Sequence, residues 1–345
     1  MFSLQNFTRR EISTTKFILI LLVVLIHSSF KAEWSINSLS SEIISFINFT
    51  VRISVPCFFI ISGYLYFHNI DRLSLQTYIN KSKTRIRTLI IPYLLWNSIF
   101  LAYLLLKALF VANSHETIFP YGDNHYCNTL FIIKGFWAFE NGYPYAFALW
   151  FLRNLIIFCA LSPIAHFICK HKLVFFSFML IIIVCNIQCY GFSYFVLGAF
   201  LKYHPIRPRC DIIPSIIINI GLLLWLLFAS LSYALSSNQN ALEFCETFVA
   251  LFVLLNLSRV ITNTIKVTAI DFCCSSTFFI YALHQFLASP VKKALRLVFD
   301  LDQFWGAIGA YSLCFIILVF SSVAAWRLLC AISPKSVNIL SGNRS

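Results

Sequence analysis

Apolar stretches long enough to cross a bilayer recur along the whole of this 345-residue chain and leave no room for a separate soluble domain. A hydrocarbon core about 30 Å thick takes about 20 mainly apolar residues per helix. With 59% hydrophobic and only 11% charged residues, the chain supplies such stretches almost end to end. This pattern excludes a soluble globular fold built on one core. It predicts an all-α polytopic membrane protein, a single integral-membrane domain over residues 1–345. The spans fall near 17–35, 43–67, 89–111, 147–168, 172–189, 192–204, 212–235, 243–260, 275–291 and 303–330, about ten transmembrane helices. The sixth is short for a full crossing and can pair with the fifth as a broken or tilted element.

The connections set an orientation. Arg9, Arg10, Lys16, Arg72, Lys81, Lys83, Arg85, Arg87, Lys170, Lys172, Lys202, Arg207, Arg209, Arg259, Lys266, Arg327, Lys335 and Arg344 fall on one side. By the positive-inside rule that side is cytoplasmic, with both termini there. The net charge of +13 is thus explained by topology, and no nucleic-acid partner is expected. Arg9 and Arg10 precede the first apolar run as in a secretory signal, but no small-residue cleavage site follows, so the run reads as a retained helix. Glu33, Glu42, Glu116, Asp123, Glu140, Glu243, Asp300 and Asp302 lean to the outer side. The long outer connection, Val111 to Ala146, holds His115, Asp123, His125, Trp137, Asn141, Gly142 and Pro144, which suit a carbohydrate and equally an interfacial aromatic belt.

Within the first apolar run, Phe17 to Phe30, stands His27, with Lys16 eleven residues before it. An ionisable side chain at bilayer depth marks a functional site by default. Eleven residues are close to three helical turns, so the two share a face, roughly 16 Å apart at 1.5 Å per residue. His27 can bond a neighbouring helix, or act as a base, since a neutral imidazole takes a proton from a hydroxyl. Lys81, Lys83, Arg85 and Arg87, just before Pro92 and Tyr93, form a dense cationic cluster at the cytoplasmic mouth. It satisfies positive-inside topology and would also bind a phosphorylated cofactor through charge-assisted hydrogen bonds. In the second span, Val55-Pro56 and Ser62-Gly63-Tyr64 interrupt the apolar pattern, for close packing or to open a cavity beside His27. The twelve cysteines are scattered without ligand-like spacing, and no metal is expected.

Six ordered segments carry a family resemblance. KFILILLVVLIH in the first span, VRISVPCFFIISGYLYF in the second and RIRTLIIPYLLW leading into the third are followed by LWFLRNLIIF (Leu149 to Phe158), YFVLGAFLKY (Tyr194 to Tyr203) and SSTFFIYALH (Ser275 to His284). Together they resemble the acyltransferase-3 family of integral-membrane O-acyltransferases. The resemblance implies a ten-helix enzyme of the bacterial cytoplasmic (inner) membrane. Such an enzyme passes an acyl group, usually acetyl from acetyl-CoA, to a hydroxyl of a cell-surface polysaccharide or lipid-linked glycan precursor.

In the family pattern an arginine precedes a histidine in the first helix, with ten residues between them. His27 matches the histidine, and Lys16 stands in place of the arginine, keeping the charge but losing the bidentate fork. Arg85 and Arg87 match the basic segment before the third helix. Arg153 and His284 fall in family-like segments, each a catalytic candidate or an interhelical hydrogen-bond partner. The implied division of labour makes His27 the base and gives Lys16, Arg85 and Arg87 the CoA phosphates. The competing class is a transporter of a small molecule or lipid-linked glycan. Against it, no predicted span carries a carboxylate at its middle, and no inverted repeat is evident.

Overall fold

The computed structural model describes residues 7–30, 34–70, 73–110, 129–138, 142–185, 187, 191–205, 214–235 and 240–342. Among the outer-loop residues singled out above, His115, Asp123, His125 and Asn141 lie outside the described residues. So do Glu33, Glu116, Glu140, Arg72, Arg207, Arg209 and Arg344. Among the described residues the fold is helical, with no strand.

Among the described residues six helical stretches are long and apolar enough to cross a membrane: Ser38–Phe67, Leu75–Leu106, Ile218–Leu235, Ala241–Thr264, Val267–Val298 and Phe304–Ile332. Several apolar helices of this kind make a multi-pass membrane protein. Ten full-length crossings are thus not shown among the described residues. The stretch at 147–168 is two helices bent by 66°, a seventh crossing if the pair counts as one. The stretches at 172–189 and 192–204 hold helices of only 13 and 12 residues. The first helix, α1 (Arg9–His27), carries four charged residues, Arg9, Arg10, Glu11 and Lys16, along its first half.

Local chemistry accounts for the bounds of α1 and for the two breaks. A capping box, in which the Thr8 side chain accepts from the Glu11 N–H and the Glu11 side chain from the Thr8 N–H, starts α1 eight residues before the apolar run. At its other end the Ser28 hydroxyl donates to the Val24 carbonyl (2.8 Å) and the Ser29 hydroxyl to the Ile26 carbonyl (2.8 Å). His27 thus lies in the last turn of α1 and not mid-span. The second stretch is α2 (Ser38–Val51) and α3 (Ser54–Phe67), with a turn at Arg52 and Ile53. Pro56 lacks an N–H, and in a continuous helix its ring would strike the carbonyl four residues back, at Arg52. Pro163 acts in the same way between α7 (Trp150–Ala160) and α8 (Ser162–Lys170).

The basic segment is itself a helix, α4 (Leu75–Arg85), continued by a π-helical turn (Ile86–Ile90) into α5 (Ile91–Phe110). After α6 (Thr129–Ala138), α7 and α8 come α9 (Lys172–Val184), α10 (Phe192–Tyr203), α11 (Pro214–Leu235), α12 (Asn240–Thr264), α13 (Val267–Val298), α14 (Phe304–Ile332) and α15 (Pro334–Ser341). The helix ends gather at two poles. At the first, Arg10 Nε pairs with Asp271 of α13 (3.2 Å) and Arg259 Nε of α12 with Glu11 (3.1 Å). Phe272 meets Trp326 of α14 at the same pole, and the Trp96 indole donates to the Leu340 carbonyl (3.1 Å). At the second, the Asn37 N–H donates to the Leu301 carbonyl (2.9 Å), and Arg296 lies over the Trp34 ring.

The closest helix pair is α3 with α10. A Cβ on Gly198 would stand 2.0 Å from the Ile60 carbonyl oxygen, and one on Gly63 2.0 Å from that of Phe195. Hydrophobic driving force is weak between helices in lipid, so small residues that admit such backbone approach fix the contact. Gly63 therefore belongs to packing, while Pro56 and Ser62 on the other side of α3 face a cavity.

Candidate active site

A cavity of about 1340 Å³ lies among α1, α3, α7, α10, α12 and α13. Ligand pockets typically measure about 300–1,000 Å³, so this one has room for more than one small substrate. Along α1 it is lined by Lys16, Ile20, Val23 and His27. Steps of four, three and four residues keep one face turned to the cavity. Lys16 and His27 thus border the same space, one at each end of an apolar strip.

Around its first-pole end the cavity meets Arg9, Arg10, Lys16 and Arg85 against the carboxylates Glu11 and Asp271. Both carboxylates are engaged, Glu11 by Arg259 and Asp271 by Arg10. The end is therefore cationic on balance. Arg85 is held over the Tyr66 ring, 5.3 Å from its centroid, while the Tyr66 hydroxyl bonds Ser162 (2.9 Å) and Lys81 Nζ donates to the Tyr66 carbonyl (3.3 Å). Arg87, two residues on, is exposed and is not part of the cavity wall.

The other end is aromatic. The short 3-10 turn Phe147–Leu149 sets the Phe147 ring edge-on to His27, with centroids 6.2 Å apart, and Tyr143 packs on Phe147 at 4.4 Å. Three bonds hold this roof. The Tyr281 hydroxyl donates to the Ala148 carbonyl (2.7 Å), and one Arg153 nitrogen donates to the Trp137 and Gly142 carbonyls (2.6 Å each). Arg153 is thus a clasp on the loop above His27 and does not border the cavity. His284 is fully buried, with its ring 5.1 Å from that of His27, and also lies outside the lining.

Three polar residues in the wall, Arg52, Tyr194 and Glu243, are not among the site residues expected from the sequence, where Glu243 figures only as an outer carboxylate. Arg52, exposed by the break before α3, lines the cavity and reaches Glu246 at 3.9 Å. The Tyr194 hydroxyl donates to Glu243 (3.0 Å), and both residues border the same space. The signal for Arg52 was available: Pro56 frees the backbone four residues upstream and puts a cation inside an apolar span. Glu243 and Tyr194 are 49 residues apart, and no local pattern joins them. Among the described residues no group of three or more His, Cys, Asp or Glu side chains is placed to hold a metal ion.

The arrangement combines a cationic end, an apolar passage and an imidazole under an aromatic roof, a layout suited to a long ligand with a charged head and a reactive tip. The acyltransferase domain model of the acyltransferase-3 family matches residues 9–327, nearly the whole chain. No curated protein and no solved structure matches it. The protein belongs to the acyltransferase-3 family of membrane acyltransferases.

Proposed function

We propose that the protein transfers an acetyl group from acetyl-CoA to a hydroxyl of a cell-surface polysaccharide or its lipid-linked precursor, at a bacterial inner membrane. The observation that carries this reading is the continuity of one cavity from the cations Arg9, Lys16 and Arg85 to His27. The donor enters at the first pole, which is cytoplasmic by its excess of Lys and Arg. Lys16 and Arg85 hold its phosphates, Lys16 as a point charge and Arg85 as a planar fork. Arg87, exposed beside them, attracts the donor without touching it. The pantetheine arm runs past Ile20, Val23 and Phe151 and spans the roughly 16 Å between Lys16 and His27.

At the far end His27 takes the proton of the acceptor hydroxyl as its oxygen attacks the thioester carbonyl. The carbon–sulfur bond breaks, and the leaving CoA thiolate takes the proton held by the His27 imidazolium, which returns to the neutral base. Arg52 and the Tyr194–Glu243 pair supply donors and acceptors for the remaining acceptor hydroxyls. Catalysis rests mainly on holding the thioester and the hydroxyl together, which converts a bimolecular reaction into an effectively unimolecular one.

Purified protein in nanodiscs, given labelled acetyl-CoA, is expected to hydrolyse or transfer the acetyl group in a manner that depends on His27. A carrier would do neither, and the absence of turnover in the wild-type protein would return the reading to transport.

A further inference from the structure

The wall behind His27 holds a second imidazole. His284 sits in α13, which runs parallel to α1: Asp271 pairs with Arg10, Cys274 lies beside Thr14, and ten residues further along α13 His284 reaches His27. Its Nδ1 lies 2.9 Å from the Ile280 carbonyl oxygen. A carbonyl oxygen only accepts, so Nδ1 carries the proton and Nε2 is left as a bare acceptor. That Nε2 is buried and has no hydrogen-bond partner among the described residues. Buried acceptors in native proteins are seldom left so, and an exception asks for an explanation.

The explanation lies 5.1 Å away, the distance between the two ring centroids. Two imidazoles joined by an N–H···N hydrogen bond have centroids about 5 Å apart, the sum of a ~2.9 Å bond and ~1.1 Å from each nitrogen to its ring centre. The ring centres therefore stand at the distance such a pair needs, although the rings are not turned to bond in this structure. The 43° between the ring planes is within reach of rotation about the terminal side-chain torsion of His27, which is a soft one.

We propose that His284 is a positioning residue for His27: its Nε2 accepts the N–H of the His27 ring and leaves the opposite nitrogen of His27 bare toward the cavity. The inference rests on reading His27 as the base. Without a partner, the neutral His27 ring divides between two tautomers, and only the one with its lone pair toward the substrate is competent. With the proton tied to His284, the competent tautomer is selected. When His27 takes up the acceptor proton, its second N–H remains held by a neutral acceptor within an apolar wall, which shares with the buried carboxylate of a Ser-His-Asp triad the fixing of tautomer and ring orientation but not its charge. Phe147, packed edge-on against His27, offers no competing acceptor for that N–H.

The test compares His284→Leu, His284→Phe and His284→Gln with the wild type and with His27→Ala, in nanodiscs, by turnover of labelled acetyl-CoA. Leu and Phe remove the acceptor with different volumes; Gln can present an amide oxygen in its place. The Leu and Phe variants are expected to lose kcat by about 10- to 100-fold, short of the ~10²–10⁴ that a general base itself contributes. Their KM for acetyl-CoA should stay at the wild-type value, and Gln should recover much of the loss. Wild-type kcat in the folded Leu or Phe variant, in a preparation where His27→Ala is inactive, overturns the proposal. So does an equal loss in all three, which would make His284 a packing residue. Full activity in His27→Ala would sink the base reading instead, and so the two failures are told apart.

Discussion

The α3–α10 contact makes a sharp prediction because its obstruction is backbone on both sides. In Gly198→Ala the new Cβ would stand 2.0 Å from the Ile60 carbonyl oxygen and 2.9 Å from the Tyr64 nitrogen. A carbon-to-oxygen contact settles at about 3.3 Å, so the helices must part by about 1.3 Å, and no rotamer change can relieve them. Overpacking of this kind costs about 1–3 kcal/mol, from which the helix preference of alanine over glycine returns at most ~1 kcal/mol. The functional effect should exceed the stability effect. The other side of α3 carries Pro56, Phe59 and Ser62 into the cavity, and a misplacement of about 1 Å at a reacting centre can cost on the order of 10²-fold. Gly221→Ala is the control, since there the added Cβ meets the Val253 side chain, at 2.4 Å, and no backbone atom, so a shift of one side chain and not of a helix relieves it. Thermal unfolding followed by size-exclusion fluorescence, with acetyl-CoA turnover measured in parallel, should show Gly198→Ala melting lower and turning over far more slowly than Gly221→Ala. Wild-type melting and turnover in Gly198→Ala would refute the claim that this backbone approach sets the cavity wall.

Three further outcomes follow from the site. Arg85→Ala should raise the KM for acetyl-CoA by about 10- to 100-fold, the worth of one charge-assisted bond of ~1.5–3 kcal/mol, whereas Arg87→Ala, outside the cavity wall, should change it by less than about threefold; equal effects would count against the geometry. Glu11→Ala removes a carboxylate partner of the partly exposed Arg259 and the side-chain half of the α1 capping box, so it should destabilise the protein by about 1–3 kcal/mol in thermal unfolding. Arg153→Ala unclasps the loop that carries Phe147 and should lower kcat with little change in donor KM, and a change in KM alone would place Arg153 in donor binding.

The parts of this fold that were legible in the sequence are those set by a local period. The apolar runs identified the membrane helices, and the eleven-residue spacing correctly put Lys16 and His27 on one face of α1, because both properties depend on the chain within a few turns. The breaks at Arg52 and Ala160 were also encoded locally, by Pro56 and Pro163, but hydropathy averages over such residues and hides them. The start of α1 was similarly masked: Thr8 and Glu11 form a capping box, yet the apolar signal begins only at Phe17. Tertiary pairs were out of reach. Glu11 and Arg259 lie 248 residues apart, and the approach of His284 to His27 depends on how α13 lies along α1. Arg87 and Arg85 look equivalent in a basic run, but the helix turns only one of them into the cavity.

Whether His27 carries the acetyl transfer is decided by the O-acetyl content of the surface polysaccharide, measured by NMR on material isolated from cells lacking the gene and complemented with the wild type or with His27→Ala at equal protein level. Acetyl signals are expected to be restored by the wild type and to be absent with His27→Ala. Equal acetylation in the two complemented strains would contradict that role for His27.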